Sequence, residues 1–350
     1  MCTSICLLTN LNLMRTLTFF TVWITCLALG CGEKKTESEL TFDLKGKSHL
    51  YLINHTNDSL DLRIRDNAIW PEKNYYDVKV LAPKVTQLEI RKTQGRNDFY
   101  LSVEGETYNL YAYPGSRDTV IISGAKSGDL VVDFAGDLQV VNQFLKQKST
   151  HFGAYHSDRE GRSKFMIDGS KALEDIYAYN DSITAVQKTF LNTHQSSIPN
   201  WYVQFELKRL DYLNTWYKVN ALIYRTKTLK QEGVSSELIA APYKGLLILK
   251  KELLGNRDYM SFLDQYITHQ IEFEAVDAQP FKTRKEELAY RLSVIEKRLK
   301  GEVKEAYLTR ELSQYIDRGI LYDSAWLAKV NNPKYSDFIG GVKSYYLKEH

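Results

Sequence analysis

The chain has 350 residues, 43% of them hydrophobic and 25% charged, the balance of an ordinary globular protein with room for two domains. Forty-six Lys plus Arg against 43 Asp plus Glu leaves a net charge of +3, too little field to gather nucleic acid. These figures exclude a disordered tail, a collagen-like fibre and a multi-span membrane protein, and they leave tyrosine, at 24 residues, as the outlier.

Arg15 is the only charged residue before Glu33. An apolar stretch of about thirteen residues follows it, Leu17 to Leu29, and breaks at Gly30-Cys31. One positive charge, a short apolar run and a small residue at the break make a secretory signal, shorter than the roughly 20 residues of a bilayer span. The pentapeptide Leu27-Ala28-Leu29-Gly30-Cys31 resembles the lipobox of bacterial lipoproteins, with the large aliphatic residue one place further out than is usual. That resemblance implies cleavage after Gly30 and acylation of Cys31. Residues before Met14 add no signal-like charge, which leaves Met14 as a second candidate for the start. The four cysteines are Cys2, Cys6, Cys26 and Cys31. Processing would keep only Cys31 and consume its thiol, so neither a disulfide nor thiol chemistry is expected in the mature chain. The expected division is a signal over 1–30, a lipidated linker over 31–37, a β module over 38–135 and a helical domain over 136–350.

From Ser38 to Phe134 the apolar period is two. About eight short runs show it: His49–Asn54, Ser59–Arg65, Asp77–Leu81, Thr86–Arg91, Phe99–Val103, Thr107–Tyr113, Thr119–Ile122 and Leu130–Phe134. Gly, Pro, Asn and Asp separate them, the spacing of an antiparallel β-sandwich or open barrel. Leu62 and Ile64 fall on one face and Asp61, Arg63 and Arg65 on the other. Tyr108, Leu110 and Ala112 likewise oppose Thr107, Tyr111 and Tyr113. After Gly136 the period becomes helical. Leu138, Val141, Phe144 and Leu145 mark a first helix, and the polar tract Ser157–Ser163 reads as a loop. A long amphipathic pattern covers Leu173 to Val186, and Pro199 opens a helix with a seam of Trp201, Phe205, Tyr212, Trp216, Val219 and Ile223. Further helices are expected near 236–254, 258–272, 283–300, 303–318, 322–331 and 334–348. The fold class is therefore α+β, a β-sandwich or open barrel followed by an all-α domain.

Catalytic patterns are scarce. The histidines lack the spacing that puts two metal ligands on one helix face, and no cysteine can help them, so no metal or other cofactor is expected. A Gly-x-Ser-x-Gly elbow is missing, and Gly340-Gly341-Val342-Lys343-Ser344 lacks the glycines of a phosphate loop. Glu286 and Glu287 are adjacent and so point to different helix faces. No enzyme activity is expected from these residues. Tyr111, Tyr113, Trp201 and Trp216 are candidate ligand-binding aromatics, weighed against burial in the core. Four Asp-Ser/Thr-apolar triplets, at Ser59, Thr119, Ser182 and Ser324, resemble O-glycosylation signals of exported Gram-negative proteins and equally read as caps or turns.

Beyond the lipobox, Phe134-Ala135-Gly136 precedes Asn142-Gln143-Phe144-Leu145, and Asn332–Gly340 closes the helical stretch. This order resembles the N-terminal, non-catalytic region of envelope-anchored thioredoxin-like thiol:disulfide reductases of Gram-negative bacteria. The Trp-Cys-x-x-Cys domain of that family has no counterpart among these residues. The resemblance implies a non-catalytic accessory or binding module, anchored to an envelope membrane and holding an unidentified protein or ligand. The alternatives are a truncated reductase and a surface lipoprotein that binds a glycan or peptide.

Overall fold

The computed structural model describes residues 47–66, 75–80, 84–91, 97–113, 115–125, 129–153, 159–274, 281–317 and 324–349. Strands β1 (Lys47–Asn54), β2 (Leu60–Asp66), β3 (Tyr75–Val80), β4 (Lys84–Arg91), β5 (Asn97–Val103), β6 (Glu106–Ala112), β7 (Arg117–Ser123) and β8 (Val131–Gly136) come first. They form two four-stranded sheets, ordered β4-β1-β7-β8 and β3-β2-β5-β6. Alternation dictates the faces: Leu60, Leu62 and Ile64 are buried in β2 while Asp61 and Arg63 are exposed. Both sheets contribute to one apolar cluster, Leu50 and Val120 from the first and Leu62, Leu101 and Leu110 from the second among them. The β5–β6 hairpin closes through Glu104 and Gly105, both at positive φ (46° and 94°), as a two-residue turn of matching twist requires. Glu104 tolerates the position because its carboxylate accepts from the Asp61 amide at 2.8 Å and its own amide donates to the Asp61 carbonyl at 3.2 Å.

One pairing departs from the antiparallel expectation. β1 runs parallel to β7, with His49 opposite Arg117 and Asn54 opposite Ile122. Parallel neighbours cannot be joined by a hairpin, so turn signals between adjacent runs carry no trace of them.

The helices are α1 (Gln139–Phe152), α2 (Arg159–Ile167), α3 (Leu173–His194), α4 (Asn200–Ile223), α5 (Ser236–Ala240), α6 (Arg257–Glu274), α7 (Arg284–Arg298), α8 (Gly301–Asp317), α9 (Ser324–Leu327) and α10 (Pro333–Glu349). Three differ from expectation. α2 occupies the tract expected to be a loop, because Arg162 is drawn inward: its guanidinium donates to Asn180 Oδ1 at 3.0 Å and lies 4.5 Å from the Tyr217 ring. The helix expected over 236–254 is broken after Ala240. A 3-10 turn with Pro242 at its second residue follows, then Gly245 at φ 77°, and residues 244–250 are not helical. α4 buries Tyr202, Val203, Glu206, Arg209, Leu210, Leu213 and Tyr217 as well as Phe205, Tyr212 and Val219, so it is a central helix rather than one with a single apolar seam. It packs between α3 and α6. No described helix is long and apolar enough to cross a membrane.

Candidate functional site

β6 is where the two cores meet. Leu110 and Ala112 belong to the β cluster, whereas Tyr111 belongs to the helical cluster with Tyr113 packed against it. Period-two alternation thus sends neighbours of one strand into different cores. β6 is also the edge of its sheet, and α1 covers that edge. The Tyr111 amide donates to Asn142 Oδ1 at 2.8 Å, which satisfies an edge N–H. The Tyr111 ring stands edge-on to Tyr202 and Phe205, with centroids 5.5 and 5.6 Å away.

The turn into α1 is clasped reciprocally. The Leu138 amide donates to Asp118 Oδ1 at 2.8 Å, and the Arg117 amide to Asp137 Oδ2 at 2.9 Å. Gly136, at φ 103°, brings its backbone so close that a Cβ would sit 2.3 Å from the Arg117 carbonyl oxygen. Phe134 is buried in the β cluster. The Phe-x-Gly element and the following Asn therefore have physical roles here: core anchor, close approach and edge acceptor.

Beneath this junction lies a buried ionic cluster drawn from three helices. Lys148 of α1 and Glu206 of α4 are each 1% exposed and ion-paired. Arg209 grips Glu206 with two bonds, Nε to Oε2 at 2.6 Å and Nη2 to Oε1 at 2.8 Å, and pairs through Nη1 with Asp258 of α6. Burial alone would raise the Glu206 carboxyl, but the charges of Arg209 and Lys148 hold it down at about 2. For the Lys148 ammonium, burial outweighs the attraction of Glu206 and lowers it to about 8. Arg209 is opposed by burial and raised further by Glu206 and Asp258. Geometry makes Arg209 the principal partner of Glu206, with two bonds against the single one from Lys148. Nearby, Arg257 joins the domains a second time, donating to the Tyr100 hydroxyl at 2.9 Å.

Two cations and two carboxylates balance, and each is engaged with another member. Such an arrangement fixes the relative position of α1, α4 and α6. Its one nucleophile, the Lys148 amine, is sealed from solutes. Similar polar layers recur: Arg291 pairs with Glu311, and Arg310 with Asp264, among α6, α7 and α8. Among the described residues no group of three His, Cys, Asp or Glu could hold a metal ion.

The candidate aromatics are not brought together as a platform. Tyr111 is 2% exposed, so its ring cannot meet a solute, which corrects its candidacy as a ligand contact. Tyr113, Trp201 and Trp216 are half-buried against the helical core. Of the triplet residues, Ser59 is half-buried ahead of β2 and Thr119 half-buried within the interior strand β7. Ser182 is exposed on α3, its hydroxyl donating to the Tyr179 carbonyl. Ser324 opens α9, its side chain outside the described residues, as are Gly30 and Cys31 altogether. Two of the preceding aspartates have structural partners: Asp118 receives Leu138, and Asp181 receives Asn214 and Lys218. Periodicity left Lys148, Glu206 and Arg209 unmarked as partners. The one signal was polar residues on otherwise buried helix faces.

The chain is thus an α+β protein whose β half and helical half are coupled through β6, α1 and the Arg257–Tyr100 contact, with a buried ionic brace inside the helical half. No protein-family model matches it, and no curated protein matches it either.

Proposed function

We propose that this chain is a non-catalytic lipoprotein of the bacterial cell envelope. An acylated Cys31 holds it to a membrane, and the β and helical halves form one accessory module that keeps a partner protein or ligand near the bilayer. The observation that carries the reading is Leu27-Ala28-Leu29-Gly30-Cys31, placed directly after a short apolar stretch with a single positive charge. A positioning role is supported by the junction, where Asn142 holds the Tyr111 amide and Arg257 holds the Tyr100 hydroxyl. The Phe134-Ala135-Gly136 and Asn142 element, which resembles the non-catalytic part of thioredoxin-like reductases, serves the same coupling. A sandwich is favoured over a barrel for the β half, since two sheets with separate edge strands share one core.

The test is metabolic labelling with a fatty acid, followed by fractionation. Wild-type chain is expected to carry label and sediment with membranes; Cys31→Ala is expected to be unlabelled and released with the periplasm. Label retained by Cys31→Ala, or absent from the wild type, sinks the reading.

A further inference from the structure

From the end of the 3-10 turn Ala241–Tyr243 to the first residue of the turn Lys251–Leu253 the chain reads Lys244-Gly-Leu-Leu-Ile-Leu-Lys250-Lys251. Two tyrosines of the helical core fix its backbone. The Tyr212 hydroxyl donates to the Leu247 carbonyl. The Tyr259 hydroxyl donates to the Ile248 carbonyl at 2.7 Å and accepts from the Lys250 amide at 2.9 Å. Leu246 and Ile248 pack against the helical core. The alternate side chains, Leu247 and Leu249, stand 65% and 43% exposed. Leu247 is the most exposed large apolar side chain among the described residues. Isolated surface leucines need no explanation; two on one pinned segment do, because the fold spends backbone hydrogen bonds holding them outward. Charge frames them on one side of neutrality. Lys244 and Lys251 are exposed, and Lys208 and Lys250 share the single carboxylate of Glu252.

We infer that residues 244–251 are a membrane-contacting loop: Leu247 and Leu249 enter the interface of an anionic bilayer while Lys244, Lys250 and Lys251 meet the headgroup phosphates. Leucine is at home in the acyl boundary, and lysine stems extend along apolar surface to place their ammonium groups at the phosphates. Anionic lipid attracts such clusters of lysine. Two leucines and three lysines give weak, reversible binding alone, and a strong second contact once a tether raises the local concentration of lipid. The setting rests on the Cys31 anchor proposed above.

The test uses the full chain carrying Cys31→Ala, which has no acyl group to confuse the result. Flotation with phosphatidylcholine vesicles containing one part in three phosphatidylglycerol is compared with phosphatidylcholine alone. Binding is expected only to the anionic vesicles, weakened at least tenfold by Leu247→Ser with Leu249→Ser, and similarly by Lys244→Glu with Lys251→Glu. All four positions are exposed, so unchanged thermal melting is expected to show intact folding. Absence of binding, or binding that the leucine pair does not alter, overturns the loop. If the leucine variant instead converts a dimer to a monomer in lipid-free solution, the patch belongs to a protein contact and the inference also fails. Failure of the anchor reading is read separately, by acyl labelling of the wild-type chain.

Discussion

At the scale of single residues, the ionic brace makes an asymmetric prediction. Glu206→Leu leaves Lys148 and Arg209 buried with only Asp258 to oppose them, and is expected to cost about 3–5 kcal/mol. Lys148→Met removes the member whose burial is least repaid and leaves the two-bonded Arg209–Glu206 pair intact, so it should cost no more than about half as much. Equal losses in urea denaturation would show that Lys148, not Arg209, is the main partner of Glu206. His269 supplies a second residue-scale outcome. It is 4% exposed, and burial lowers its imidazole from 6.5 to about 4. The folded state therefore resists a proton that the unfolded chain accepts, and the His269 contribution to stability is complete above pH 6.5 and lost as pH falls towards 4. Glu206, held at about 2, adds a later loss that begins below its ordinary 4.5. In His269→Phe the denaturation midpoint is expected to stay flat between pH 6.5 and 5, where the parent declines. A parent profile already flat across that window would remove His269 as the cause. None of these partners could be paired from the sequence, since Lys148, Glu206 and Asp258 sit on three helices and a lone Lys or Glu carries no mark of its partner.

At the scale of elements, the strands were legible and the pairings only partly so. Every apolar run of period two became a strand, because alternation records which side of a sheet is dry. Tyr111 and Leu110 were assigned to opposite faces by the same rule, although nothing in β6 said that both faces would be covered. That covering comes from α1, hence from tertiary packing. The long helices are equally legible, whereas α2 is hidden by its polar sequence, and the apolar period over 236–254 does not make one helix because Pro242 and Gly245 break it. The junction is the element whose sequence and structure agree in most detail. Gly136→Ala forces a Cβ into the Arg117 carbonyl at positive φ and is expected to cost on the order of 3 kcal/mol. Asn142→Ala strands the Tyr111 amide and is expected to cost about 1–3 kcal/mol. The readout is thermal unfolding followed by aromatic circular dichroism, which senses the Tyr111, Tyr202 and Phe205 rings. Gly136→Ala melting within a degree of the parent would mean the turn relaxes freely.

For the whole molecule, the parallel contact between β1 and β7 governs the order in which the chain can assemble. The helical hairpin of α3 and α4 joins close neighbours through a short connection and can form as soon as both are present. The first sheet cannot. β1 meets no sequence neighbour within it: its partners are β4 and, much later, β7, so the sheet stays open until Arg117 has arrived to face His49. A chain threaded through a membrane amino end first would deliver β1 earliest and complete it late. Throughout that interval the apolar side of β1, Leu50 and Leu52, waits uncovered in the compartment it has entered. If export follows the proposal above, the earliest strand to emerge is among the last to be sheltered.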